Sequence, residues 1–467
     1  YPFGCIAGLF NRTFGTTPMN RKQRRALSGA VRSDAPASEA QRVEQAIALH
    51  RQGQLDAAET LYRQILRRNP RQVDALHFLG VLAAQRHDND GAVKLIRQAL
   101  ELNPRYADAH NNLGNVLAAM ERFDEAATAY RQAIELAPGN FGAHCNLGIM
   151  LRRSGRFEEA VAACQQVLAL NPRLAEVHLN LGKALVALER HEEAMAAFRE
   201  AIRLRPGHAS AYKSLGMLLY RLNRSEEAAE LFRGWLEQDP ANPVARHLLA
   251  AHSGHAAPAR AADDYVQELF DGMADSFDDH LHRLDYRAPD LIAGEIGTTL
   301  GAPTQSLEVL DAGCGTGLCG PLLRPYARRL IGVDLSPRMV ERARARGDYD
   351  ELAVAELTAF LAARPASHDL IVSADTLVYF GDLRPVLAAA AAALRPEGWL
   401  AFTVERGEER GTEEFRLDRS GRYQHAEAYL RRELVQAGMV VETLETVELR
   451  LEGGHPVVGF LVLARKP

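Results

Sequence analysis

Along residues 39 to 242 the apolar positions repeat with a fixed step. Large side chains fall at Tyr62, Ile96, Tyr130, Cys164, Phe198 and Phe232, each 34 residues after the last, and Ala58, Ala92, Ala126, Ala160, Ala194 and Ala228 keep the same step. Gly80, Gly114, Gly148, Gly182 and Gly216 form a third series, and Pro70, Pro104, Pro138, Pro172, Pro206 and Pro240 a fourth. From about Asp263 the period vanishes and short apolar runs alternate with helical stretches, the pattern of a doubly wound parallel sheet. The expected strands are Leu307 to Asp311, Arg329 to Asp334, Glu351 to Val354, Leu370 to Ser373, Trp399 to Val404, Val440 to Val447 and Val457 to Leu463. No helix separates the last two, which predicts a hairpin with an antiparallel final strand.

The periodic part resembles the tetratricopeptide repeat over roughly Glu39 to Asn242, as six repeats of which the first has Ala46 in place of the glycine. The resemblance implies two antiparallel helices per unit, stacked into a superhelix. Small residues let the paired helices approach, the large apolar residue fills the space between units, and proline stops each helix before the next unit begins. The pattern appears once more after Asn242 without a second helix, which predicts a capping helix up to about residue 252 and a linker over 253–262. The expected fold class is thus multidomain, an N-terminal all-α superhelix followed by a C-terminal α/β doubly wound sheet.

Two residues before each glycine stand Phe78, Asn112, Asn146, Asn180 and Ser214. An amide both donates and accepts, so a spaced row of amides suits the backbone of an extended peptide. The resemblance implies that Asn112, Asn146 and Asn180 line a groove for a protein or peptide partner; the other reading is that they bond neighbouring helices. His110, His144 and His178 share the step, but stacked helices about 10 Å apart cannot bring them to one metal ion with ligands at about 2 Å. They read as packing residues, and no metal is expected.

Residues 307 to 320 read LEVLDAGCGTGLCG, with Gly313, Gly315, Gly317 and Gly320 close together. A bare backbone at that density implies close approach of something to it. The stretch follows a strand and opens a helix, and Asp334 closes the next strand, 334 − 311 = 23 residues after Asp311, where such a sheet places a nucleotide. The spacing is GxGxG, whereas a dinucleotide fingerprint is GxGxxG. From Asp263 to the end the chain resembles the class I S-adenosylmethionine-dependent methyltransferases. That resemblance implies S-adenosyl-L-methionine as cofactor, with Asp311, Gly313, Cys314, Gly315 and Gly317 facing its methionine and ribose part. Asp334 would hold the ribose, Leu335 would border the adenine and Glu356 would contact its amine. The acidic segment Tyr265 to Leu281, with Phe270 and Phe277, would either close over the cofactor or cover the sheet edge. Taken whole, the chain resembles a bacterial group of predicted repeat-containing methyltransferases.

Methyl transfer is an in-line displacement, so alignment and exclusion of water carry most of the work and a general base is optional. Residues 374 to 380, after the fourth strand, are expected nearest the methyl group, with Asp375 contacting cofactor or substrate and Tyr379 either a catalytic contact or a packing residue. They lack an Asn/Asp-Pro-Pro-aromatic motif, which disfavours nucleic-acid bases as acceptors. His425, in GRYQHAEAYL between the fifth strand and the last helix, is a candidate base because an imidazole titrates near neutrality. Cys314 and Cys319 read as small fillers, with no helper histidine nearby in sequence.

Composition adds limits. The 467 residues are 47% hydrophobic and 25% charged with a net charge of −5, which gives no pull toward nucleic acid or an anionic membrane. Five cysteines without CxxC spacing suit a reducing cytosol, and no apolar run is long enough to span a membrane. Residues 1–38 are expected to be a disordered basic tail, with Arg21, Lys22, Arg24, Arg25 and Arg32 and no acid between Met19 and Arg32; the stretch before Met19 is set aside from the fold. The leading expectation is a methyltransferase whose repeats recruit a partner. Its alternatives are a scaffold with a vestigial methyltransferase domain, and a small-molecule or lipid methyltransferase with repeats used for assembly.

Overall fold

The computed structural model describes residues 38–253, 257–407 and 414–467. The basic tail expected over 1–38 lies outside them except for Ser38. Contacts divide the chain into two compact units between Leu218 and Leu219.

The first unit is helical. Its pairs are α1 (Glu39–Arg51) and α2 (Leu55–Arg68), α3 (Val73–Gln85) and α4 (Asn89–Leu102), α5 (Ala107–Ala119) and α6 (Phe123–Leu136), α7 (Phe141–Arg153) and α8 (Phe157–Leu170), and α9 (Ala175–Ala187) and α10 (His191–Leu204). Helix α11 (Ala209–Arg221) spans the division. The glycine series exists because of the large apolar series. A Cβ on Gly114 would lie 2.6 Å from Tyr130 and one on Gly182 2.5 Å from Phe198, whereas on Gly148 it would meet the smaller Cys164 at 3.2 Å.

The turn inside each pair uses a left-handed residue at the same step. Gly53 and Gly155 supply it with φ of 76° and 77°, and His87, Glu121 and Glu189 adopt it at 63°, 58° and 58°. The periodic histidines bond to the carbonyls of the periodic prolines: Nε2 of His110, His144 and His178 lies 2.9, 3.0 and 2.9 Å from the oxygens of Pro104, Pro138 and Pro172. A carbonyl only accepts, so each ring carries its proton on Nε2.

The second unit begins with the end of α11, then α12 (Ser225–Gln238) and α13 (Pro243–Ser253). The predicted capping helix is α13, whose His252 packs on Phe232. The predicted linker over 253–262 is corrected in its second half. Ala261 is 2% exposed and donates to the carbonyl of Tyr379 at 2.8 Å, while Ala259 accepts from the amides of Gly381 and Asp382. Backbone bonding thus ties the segment to the sheet domain.

Helices α14 (Asp263–Met273), α15 (Phe277–Arg283) and α16 (Ala288–Leu300) precede the sheet. Its strands are β1 (Leu307–Ala312), β2 (Ala327–Asp334), β3 (Glu351–Val354), β4 (His368–Ser373), β5 (Leu394–Arg406), β6 (Phe415–Leu417), β7 (Tyr423–His425), β8 (Val440–Glu452) and β9 (His455–Arg465). Between them lie α17 (Gly320–Leu323), α18 (Pro337–Arg346), α19 (Leu357–Ala362), α20 (Arg384–Ala393) and α21 (Glu427–Gln436). The order β3-β2-β1-β4-β5 is parallel; β9 then pairs antiparallel with both β5 and β8, as the missing final helix implies. Strands β6 and β7 were not anticipated; they are three residues each, too short to show a period.

Alternate residues feed two cores. Leu310, Ile331, Ile371 and Phe402 enter one, while Val309, Leu330, Leu370 and Ala401 enter the other. Parallel strands buried on both faces leave the loops at their C-terminal ends free to build a site.

Candidate functional site

The loop after β1 is pinned to β2. Amides of Gly313 and Cys314 both donate to the carbonyl of Val333, at 2.8 and 2.9 Å. Gly313, Gly315 and Gly317 all have positive φ, at 83°, 53° and 91°. Their surroundings differ: a Cβ on Gly313 would lie 2.0 Å from Oγ1 of Thr376 and one on Gly317 3.0 Å from Tyr349, while on Gly315 it would meet only Phe277, at 3.7 Å. Two of the glycines are bare for packing, while a side chain at Gly315 would meet the Phe277 ring only in ordinary van der Waals contact.

Asp334 closes β2 under this loop. Its Oδ2 accepts from the amide of Gly315 at 2.9 Å and its Oδ1 from that of Ser336 at 2.8 Å. Burial raises its carboxyl, and those amides oppose the rise. Asp311 lies beneath, 1% exposed, with its Oδ2 accepting from the hydroxyl of Tyr349 at 2.6 Å. Burial pushes it up to about 7, against that bond and with the neighbouring Asp334 adding to the rise.

These residues border a cavity of about 1290 Å³, its open mouth included. Of the expected site residues it brings together Gly313, Cys314, Gly315, Asp334, Leu335, Glu356, Asp375 and Tyr379; Asp311 and Gly317 support it from behind. Glu356 caps α19, accepting from the amides of Thr358 and Ala359 at 3.0 and 2.8 Å and from Arg260 at 3.2 Å. Burial raises its carboxyl, but those bonds prevail and hold it below the usual range. Asp375, at φ 51°, accepts from Arg450 at 2.6 Å and from Thr403 at 3.2 Å. Tyr379 sets its ring edge-on to Phe270, centroids 5.4 Å apart.

The α14–α15 segment forms one wall, contributing Phe270, Met273, Phe277, His280 and Leu281. Its acids clamp α18 and the glycine loop: Asp271 accepts from Ser336 at 2.5 Å, Asp275 from Arg338 at 2.6 Å and from Arg342, and Asp278 from Thr316 of the loop at 2.5 Å and from Arg346.

With that geometry in hand, known proteins can be compared. The family described as "Methyltransferase domain" matches residues 310–402, and the family described as "Tetratricopeptide repeat" matches five overlapping stretches from 43 to 243. The chain joins tetratricopeptide repeats to a methyltransferase domain. Methyltransferase-like protein 27 of Homo sapiens is 39% identical over 102 residues, 21% of this chain and 42% of that protein. Malonyl-[acyl-carrier protein] O-methyltransferase of Acetivibrio thermocellus is 34% identical over 100 residues, 21% of this chain and 35% of that protein. The chain thus spans less than half the length of these relatives. A solved structure of MamA aligns with 35% of this chain and 96% of its own at 21% identity and a TM-score of 0.34.

Three expected site residues of the chain are placed differently. In the methyltransferase domain, His425 is fully buried with Nε2 3.1 Å from the carbonyl of Gly381, its ring stacked on Tyr429 and its pKa lowered by burial to about 4. It lies outside the cavity lining, which removes it as a base. In the repeats, Asn112 and Asn146 are 4% and 5% exposed. Asn112 lies 2.9 Å from Nε2 of His77, and Asn146 donates to Asn115, which also accepts from Tyr130 at 2.8 Å. They bond neighbouring helices, because the amide satisfies polar atoms trapped where units stack. Asn180 is half-buried, with no side-chain hydrogen bond among the described residues.

The methyltransferase domain also uses residues that sequence reasoning missed. Tyr349, Arg422, Arg450 and Tyr286 lie on separate elements, and no spacing links them, whereas Thr376 and His280 fall within the expected stretches 374 to 380 and 265 to 281. Of those four, Arg422 alone lay in a stretch the sequence pointed to, GRYQHAEAYL, where it is the contributor in place of His425. Cys314 and Cys319 are 6% exposed, and burial pushes both thiols well up, as befits fillers. Among the described residues no helix is long and apolar enough to cross a membrane.

Proposed function

We propose that the chain is an S-adenosylmethionine-dependent methyltransferase and that its repeats recruit a protein or peptide partner. The observation that supports the cofactor most is the pairing of Gly315 with Asp334. Gly315, where a side chain would meet nothing closer than 3.7 Å, donates its amide to the acid that closes the next strand. The Asp334 carboxylate takes amide bonds from Gly315, Ser336 and Leu335, and two oxygens with about four lone-pair sites keep acceptor capacity for a ribose hydroxyl. A side chain at Gly315 would occupy that cradle.

When bound, the cofactor supplies an electrophilic methyl group on a sulfonium sulfur. The chain's own part is binding, orientation and exclusion of water. Asp334 and Gly315 hold the polar middle of the ligand, Leu335 and Leu357 offer apolar walls for a base, and Phe270, Phe277 and Leu281 shut out solvent. For the repeats, the fold supports the reading, with Asn180 as the remaining free amide of the expected row.

Calorimetry with S-adenosylmethionine tests the first part. Binding that Asp334→Ala removes is the expected result; no binding leaves the scaffold reading. Transfer of a labelled methyl group to a protein band in a lysate, reduced by Asn180→Ala, tests the second. Label confined to organic-soluble products would overturn the recruitment of a protein acceptor.

A further inference from the structure

The polar lining of the cavity changes character along its length. Around the glycine loop it offers acceptors, but past Asp375 it offers mainly donors. Arg450, 3% exposed, is fully engaged: Nη1 donates to Asp375 at 2.6 Å, Nε to Glu452 at 2.8 Å and Nη2 to Glu405. Arg422 is less fully spent on acids. Its Nη1 donates to Glu452 at 2.7 Å and to Glu405 at 3.3 Å, its guanidinium also donates to the hydroxyl of Tyr379, and Nε and Nη2 make no hydrogen bond to a carboxylate among the described residues. The hydroxyl of Tyr379 lies beside this guanidinium, and the hydroxyl of Tyr286, near Asp375 and Arg450, has no hydrogen bond among the described residues.

Carboxylates at this end are already used. Asp375 accepts on both oxygens, from Thr403 and Arg450, and neither Glu405 nor Glu452 reaches the lining. Two guanidiniums face three carboxylates, and each of the three accepts from a guanidinium, Asp375 from Arg450 and Glu405 and Glu452 from both arginines. His280 is the one imidazole in the lining. The surrounding wall is apolar, with Phe270, Leu281, Leu284 and Val378.

The geometry points to an apolar carboxylic acid as the methyl acceptor, its carboxylate held by Arg422 with the hydroxyls of Tyr379 and Tyr286. This rests on the cofactor reading above. A planar guanidinium edge matches two carboxylate oxygens, which gives an orientation that a lone alcohol or amine cannot take. A carboxylate is ionised at neutral pH, so the reaction needs no base. One C–O bond forms at the methyl carbon as one S–C bond breaks, the electron pair leaves on sulfur, and the products are a methyl ester and a neutral thioether. The loss of His425 as a base then costs the mechanism nothing.

Octanoate is the probe, with octanol and octylamine as neutral and cationic controls of equal length. Each is titrated by calorimetry into the full chain, alone and saturated with S-adenosylhomocysteine. Octanoate is expected to bind at least about tenfold more tightly than either control, the worth of a hydrogen bond to a charged group. Arg422→Met should lose that preference. Since Arg422 also ties down Glu405 and Glu452, Tyr286→Phe is the second variant; it breaks no hydrogen bond among the described residues and should weaken octanoate severalfold while leaving octanol unchanged. Equal binding of octanol, tighter binding of octylamine, or no binding of any probe to protein that holds S-adenosylhomocysteine overturns the inference and leaves the cofactor reading standing. Failure to bind S-adenosylhomocysteine, with octanoate still bound through Arg422, overturns the cofactor reading instead.

Discussion

The hydroxyl of Tyr349 donates to Oδ2 of Asp311 at 2.6 Å beneath the glycine loop, and the same ring stands 3.0 Å from where a Cβ of Gly317 would be. One side chain therefore holds the buried acid and sets the floor on which the loop turns. Tyr349→Phe leaves the ring and strips the bond. It should cost about 1–3 kcal/mol, the worth of a hydrogen bond to a buried charged group, read as a lower denaturation midpoint with an unchanged slope.

Asp311 gives a pH dependence of definite sign. Its folded pKa is raised to about 7 by burial, so between roughly pH 4 and 7 the native state holds a proton that the unfolded state has released. Stability from this group therefore falls as pH rises through that window. Asp311→Asn should flatten this part of the profile and raise the melting temperature at pH 8 more than at pH 5, as followed by thermal melts across pH.

The glycines should separate by experiment. Gly313→Ala adds a methyl group 2.0 Å from Thr376 at a φ of 83°, and is expected to lower the melting temperature strongly. Gly315→Ala meets nothing closer than 3.7 Å and should cost only the left-handed backbone penalty of about 1–2 kcal/mol. Calorimetry with S-adenosylmethionine should nevertheless show a loss of about tenfold or more for Gly315→Ala, because the methyl group enters the cradle.

The clamp between the cavity wall and α18 predicts salt-sensitive ligand release. The Asp275 carboxyl is held below its usual range by hydrogen bonds from Arg342 and Arg338. Its contribution is present above the unfolded carboxylate pKa and lost as pH falls through the lower folded value, so little change is expected between pH 5 and 9. Asp275→Asn, or raising salt from 0.1 to 1 M, should speed dissociation of S-adenosylhomocysteine a few fold, measured by stopped-flow fluorescence; surface pairs are weak and screened.

In the repeats, Asn146→Ala should lower the melting temperature by several degrees, because it leaves Asn115 and its neighbours short of a partner in a buried site. Asn180→Ala should leave it unchanged. That contrast, read by circular dichroism, separates amides that hold the stack from the one free to meet a partner.

Much of this was legible along the chain. The 34-residue step survives because every unit must bury the same face against its neighbour, so glycine, proline and the large apolar residue recur in register. The glycine loop and Asp334 were legible for a similar reason: a strand, a turn and a helix in direct succession leave their chemistry in consecutive residues. Local succession and repetition are what a sequence records.

The rest is decided by packing across distant elements. His425 and Arg422 sit three residues apart, yet the fold turns one into the core and the other into the cavity, a difference of side-chain direction that no spacing reveals. Asn112, Asn146 and Asn180 occupy equivalent positions, but only the neighbours brought by stacking determine which amides are spent. The donors at the far end of the cavity come from residues 286, 379, 422 and 450, whose meeting depends on how loops, helices and strands far apart in sequence pack together. Sequence by itself determined the two architectures and the place of the glycine loop. Tertiary structure decided which polar groups are satisfied within the protein and which remain to bind something else.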